Sequence, residues 1–192
     1  EINQVDYDFE KIESILSADD AISYKLLRYI NSAFFRRRTE ITSIKHAMRY
    51  LGQEEMRRFV SLIALSRIAD AKPDELVRAA CIKAKFCERL TCEDACRETP
   101  GEMFTLGLFA NIDAILDRPM AEIMRELPLA DRIKAALTDG SNDLGLFLSL
   151  SKHYEKGEWQ SVCRICSELG IQECRIPPIY MEACQWADSL AG

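Results

Sequence analysis

The sequence predicts an all-α protein, a multi-helix bundle, on three observations. Apolar residues recur at i, i+3/i+4 spacing along most of its 192 residues, Gly (8) and Pro (6) are few, and no segment alternates apolar and polar residues between hairpin turns. A hydrophobic content of 48% is enough for a core, and 29% charged residues are enough to clothe it.

Each helix has its own start and stop signals. Asp8 can cap a first helix carrying Phe9, Ile12 and Ile15, and the pair Asp19-Asp20 a second bearing Ile22, Leu26, Leu27, Ile30 and Phe34. Ser43 starts a third, short helix with Ile44, Ala47, Met48 and Leu51 inward, and Gly52 is placed to end it in a left-handed conformation. A fourth runs from Gln53 to about Ala69. Pro73 and Asp74 open a fifth through Leu76, Ala80, Ala84, Cys87 and Leu90, which Asp94 or Glu98 closes. After the break Thr99-Pro100-Gly101 comes one apolar helix, Met103 to Leu116. Pro119, Pro128, Asp139-Gly140 and Gly157 then separate shorter helices, and Trp159 to Leu169 and Pro178 to Leu190 make the last two. The chain reads as a single domain over 1–192, and the one candidate sub-boundary, near residue 100, reads as an interhelix turn.

The richest apolar stretch, Phe59 to Leu65, is soon broken by Arg67 and Asp70, far short of the roughly 18 residues that cross a bilayer. With no signal peptide either, the expectation is a cytoplasmic protein without membrane attachment. Glu1 in place of Met suggests a chain cut from something longer. Eight cysteines are many, but a chain with a real core needs no disulfide staples, which agrees with a reducing compartment.

Charge is unevenly spread. Between Ser23 and Val60 nine bases, among them Arg36, Arg37, Arg38, Lys45 and Arg49, face three acids, so this stretch carries +6 within a chain of −6. Such a basic face is a candidate surface for an acidic protein partner. Arg36-Arg37-Arg38 could also grip phosphates, yet the acidic total and the lack of a stacking platform weigh against nucleic acid.

Catalytic chemistry finds little material. A metal-dependent phosphohydrolase needs several His and Asp ligands converging from different helices, and the only histidines, His46 and His153, lie far apart in sequence. Cys163-Arg-Ile-Cys166 and Cys92-Glu-Asp-Ala-Cys96 have metal or redox spacing, but no strand precedes Cys163, and Cys87 and Cys166 fall on apolar helix faces. No phosphate-cradling Gly-rich loop and no nucleophile elbow is present. No catalytic residue, metal or cofactor is assigned.

Two blocks look familiar. Ala21 to Phe35, a leucine-rich helix with Leu26 and Leu27 ending in Asn31-Ser32-Ala33, is followed by Ile41-Thr-Ser-Ile, with Ser43 and Ile44, and a helix closing in Leu51-Gly52. This pattern resembles the opening signature of the HDOD family, built on a metal-free version of the HD phosphohydrolase helical core. Val77 to Leu90, Phe104 to Asp117, Pro119 to Leu129 and Tyr154 to Trp159 resemble the branch of that family that follows an EAL domain. Where catalytic HD relatives carry a Leu-His-Asp-Ile-Gly segment, this chain has Phe109-Ala-Asn-Ile-Asp113, so Ala110 and Asn111 stand at the ligand positions. The resemblance implies a bacterial signalling protein related to cyclic diguanylate. Its helical domain would be a non-catalytic output or scaffold that meets protein partners, its own upstream EAL domain among them. A divergent metal-dependent phosphohydrolase and a nucleic-acid-binding regulator are the alternatives, and the oligomeric state is left open.

Overall fold

A computed structural model describes residues 20–31, 41–69, 74–91, 99–127 and 129–191. Among these, every regular element is helical: α1 (Asp20–Ile30), α2 (Ile44–Ile68), α3 (Asp74–Leu90), α4 (Pro100–Phe109), α5 (Ile112–Leu116), α6 (Met120–Glu126), α7 (Asp131–Thr138), α8 (Asp143–Glu155), α9 (Trp159–Leu169) and α10 (Ile176–Ala191), with a 3-10 turn at Glu173–Arg175. The all-α expectation holds. The helix expected after Asp8, Phe34, and the closing residues Asp94 and Glu98 lie outside the described residues. No described helix is long and apolar enough to cross a membrane.

The chain forms two compact units, residues 1–64 with 189–192, and residues 65–188. In the first, α1 buries Leu26, Tyr29 and Ile30, and α2 buries Ala47, Met48, Leu51, Met56, Phe59 and Leu62, each set at helical spacing. The Tyr29 and Phe59 rings meet with centroids 5.6 Å apart. Gly52 interrupts α2 as expected but in a different conformation. Its φ of 71° is positive, while its ψ of −179° is extended rather than left-handed helical. That region of backbone space belongs almost wholly to glycine, because any Cβ crowds the flanking peptide.

In the second unit α3 is the central element. It packs along α4 and against α8, while α9 packs on α8, and α7 on α4, α6 and α8. The α3–α4 crossing is close because residue 107 is glycine: a Cβ there would stand 2.3 Å from the Lys83 carbonyl oxygen and 2.7 Å from Ala84 Cα. α10 closes over both helices through edge-on ring contacts, Phe86 with Tyr180 and Phe104 with Trp186. Arg78 and Arg89 add ion pairs to Asp188 and Glu182 at 2.8 and 3.1 Å. Beneath them Lys85 and Glu88 form a buried pair at 3.0 Å, with the ammonium lying over the Trp186 ring.

Helix boundaries differ from expectation at the start of α4, which begins at Pro100 rather than Met103 with Thr99 as its cap, and at two further places. The apolar run from Met103 to Leu116 is two helices, not one, because after the helical Ala110 the chain leaves helical geometry at Asn111, which takes φ −124°, ψ 21°. Asparagine tolerates this departure well, since its short amide competes with the helix for backbone partners. The last helix starts at Ile176, before Pro178, because prolines in the first turn lack an N–H that would in any case have no helical partner.

Candidate functional site

The motif residues of the first unit build a clasp. α1 ends at Ile30, and Asn31 then donates through Nδ2 to the carbonyls of Leu27 (2.9 Å) and Ile41 (2.7 Å) while its Oδ1 accepts the Ile41 N–H (2.9 Å). One amide thus adds a second bond to the Leu27 carbonyl, which already accepts the Asn31 N–H, and satisfies both backbone groups of a buried residue ten positions on. Ser43 performs the expected cap, its Oγ accepting the His46 N–H at 3.2 Å while its carbonyl accepts Ala47 N–H. Leu26 and Leu51 are buried, whereas Leu27 and Ile44 are only partly so. Lys45, His46 and Arg49 are exposed on the short segment before Gly52, and neither Lys45 nor Arg49 is engaged in an ion pair. Ser32, Arg36, Arg37 and Arg38 lie outside the described residues.

Sequence reasoning missed a polar group in the same unit. Tyr29 Oη donates to Glu55 Oε2 at 3.0 Å, and Arg58 bonds the other oxygen of Glu55. The signal was there: a tyrosine at a buried position of α1 needs a partner for its hydroxyl, and Glu55-x-x-Arg58 offers an ion pair one turn apart.

Ala110 and Asn111, the positions that the resemblance sets against the ligands of catalytic HD relatives, fall at the α4–α5 break in the second unit. Ala110, half-buried, closes α4, with its N–H bonded to the Gly107 carbonyl, and offers no side-chain donor. Asn111 does not cap α5; its Oδ1 accepts from Lys83 Nζ of α3 at 3.3 Å. The same ammonium lies 3.4 Å from Glu155 Oε2 at the end of α8, and the other Glu155 oxygen accepts from the buried Ser151 hydroxyl at 3.3 Å. Two helices and the break between two others therefore send one group each to a single point. The side chains of Lys83 and Glu155 keep only 14% and 30% of their exposure, so their attraction is less screened than in a surface pair. Glu155 at a helix C-terminus would by itself oppose the helix dipole, which the lysine offsets.

These residues do not fit a divalent metal. The cationic ammonium stands among the oxygen donors, and among the described residues no three His, Cys, Asp or Glu side chains are grouped to hold an ion. His46 is exposed, and His153 pairs with Glu158. Cys163 is exposed and donates to Glu173 Oε2 at 3.1 Å, while Cys166 is fully buried. The Glu173 carboxylate holds the Cys163 thiol above its usual pKa, and burial pushes Cys166 up to about 11 and Cys81 up to about 12. Each shift favours the protonated thiol, the opposite of the depressed pKa that marks a reactive redox thiolate. Cys92 and Cys96 lie outside the described residues.

Residues 1–130 match the HDOD domain family. Over 190 residues the chain is 35% identical to "Cyclic di-GMP phosphodiesterase CdgJ" of Vibrio cholerae, an alignment covering 99% of this chain and 44% of that protein. Over 200 residues it is 32% identical to "Uncharacterized protein YuxH" of Bacillus subtilis, covering 99% of this chain and 46% of the relative. The chain thus spans less than half the length of these curated relatives. No solved structure matches it.

Proposed function

Since the chain belongs to the HDOD family, we propose that it is a non-catalytic signal-transduction module, an output or scaffold domain that binds proteins in a bacterial, cytoplasmic system related to cyclic di-GMP. The observation that carries this reading is the fate of the two would-be ligand positions. Ala110 has nothing to ligate with, and Asn111 is given over to Lys83. Without a metal-bound hydroxide, the helical core lacks the means to attack a phosphodiester. The printed name of the Vibrio cholerae relative supports the cyclic di-GMP connection. Its phosphodiesterase activity we place outside the aligned 44%, in an EAL domain upstream. That upstream domain is then the first partner, and exposed Lys45 and Arg49, in the basic stretch 23–60, are the contact surface we assign to acidic partner groups.

The purified chain should contain no stoichiometric iron, manganese or magnesium by elemental analysis and should leave cyclic di-GMP and bis(p-nitrophenyl) phosphate intact. It should bind a separately produced EAL domain from the same protein, more weakly as salt rises and more weakly again with Lys45→Ala/Arg49→Ala. Turnover accompanied by bound metal would sink the non-catalytic reading. Loss of neither affinity nor salt dependence in the double variant would remove the basic surface from it.

A further inference from the structure

We infer that the Lys83 ammonium has taken over the place of a metal ion in this fold, as an internal cation that cross-links α3, the α4–α5 break and the end of α8. The inference rests on the family reading only for where a metal would be expected; the geometry stands alone. Nζ faces Asn111 Oδ1 at 3.3 Å and Glu155 Oε2 at 3.4 Å, and Ser151 Oγ braces the far oxygen of Glu155. An amide oxygen and a carboxylate oxygen facing one positive charge are donors that hard cations also take, here gathered by a –NH₃⁺ group that needs no loading, while the Ser151 hydroxyl holds the carboxylate from its other oxygen.

The location supports the assignment. Lys83 lies at the tightest part of the α3–α4 crossing, where its own carbonyl would sit 2.3 Å from a Cβ on residue 107. Its backbone is therefore held against α4 while its side chain reaches the loop that follows α4 and the helix beyond. Asn111 leaves helical geometry and forgoes capping α5 while making this bond. A solvated lysine would place no such demand on a residue 28 positions away. The exchange also explains why Ala suffices at residue 110: with the charge supplied by α3, no second donor is required there.

The test is a double-mutant cycle read by thermal unfolding, which depends on neither catalysis nor partner binding and so fails separately from the proposed function. Lys83→Met keeps the stem and removes the charge; it should lower Tm by about 3–6 °C, and Lys83→Arg, which restores a cation, by clearly less. Glu155→Gln should also lower Tm, and the double variant should fall well short of the sum of the two. Should Lys83→Met fail to fold, Asn111→Ala and Glu155→Gln carry the cycle, since each removes one acceptor without touching α3. Millimolar Mn²⁺ or Mg²⁺ should leave the Tm of the unaltered protein where it is. Additive effects in the cycle, an unchanged Tm in Lys83→Met, or stabilisation of the unaltered protein by either metal would overturn the inference.

Discussion

Asn31 and Gly52 show two ways in which a single residue fixes local structure. Asn31 works through its amide, which holds both backbone groups of Ile41. Asn31→Ala leaves them buried without a partner, at a cost of about 1–3 kcal/mol in urea unfolding. Asn31→Asp should not recover this, because a carboxylate can still accept the Ile41 N–H but faces two carbonyls it cannot donate to. Gly52 works through what it lacks. Beyond its two chain neighbours a Cβ there would meet nothing within 4 Å, so Gly52→Ala should lose about 1–3 kcal/mol through local backbone strain alone, and an m-value equal to that of the unaltered protein would show that no repacking accompanies it. The sequence announced both residues, since Asn-Ser at a helix end and Leu-Gly before a new helix are local signals. It did not announce the extended ψ of Gly52, because either conformation with positive φ calls for the same residue.

At the scale of helices, legibility follows how local the cause is. Ser43 was read as a cap and is one, and the break at Thr99-Pro100-Gly101 proved to be a capping box, in which Thr99 and Glu102 satisfy each other's backbone groups. The start and end of α9 matched the reading as well, with Gly170 left-handed after Leu169. The division of the Met103–Leu116 run was missed because its cause is distant: Asn111 answers to a lysine on another helix, and that lysine reads, in sequence, like any solvated position on an amphipathic helix. For the same reason Lys83, Ser151 and Glu155 were absent from the expected site. The packing of α3 on α4 depends on Gly107 in the same non-local way. Gly107→Ala drives a methyl into backbone atoms of Lys83 and Ala84, which cannot swing aside, and should cost more than the roughly 1–3 kcal/mol usual for overpacking, seen as a fall in Tm with α-helical circular dichroism retained at low temperature.

For the molecule as a whole, charge pairing sets the response to acid. Arg118 holds Glu126 below the usual carboxylate value, Arg132 does the same for Asp143, and the Ser141 hydroxyl and N–H do so for Asp139. A carboxylate whose folded pKa is depressed contributes stability that is complete above its unfolded value and lost as pH falls through the folded one. Tm should therefore stay level from pH 7 to about 5 and decline below about 4, with added salt shrinking the decline because these groups are exposed. The closure of the second unit by α10 has a further consequence. Trp186 against Phe104, Arg78 to Asp188 and Arg89 to Glu182 join residues some 80 to 110 positions apart, so the segment that seals this core is synthesised well after the helices it covers. Cutting the chain after residue 130, where the family match ends, would strip α3 and α4 of this lid and should yield a product that binds a hydrophobic dye and aggregates. On the ribosome the nascent chain must hold Phe104 and the Lys85–Glu88 pair uncovered until α10 emerges, which makes that helix the gatekeeper of whether this unit completes its folding.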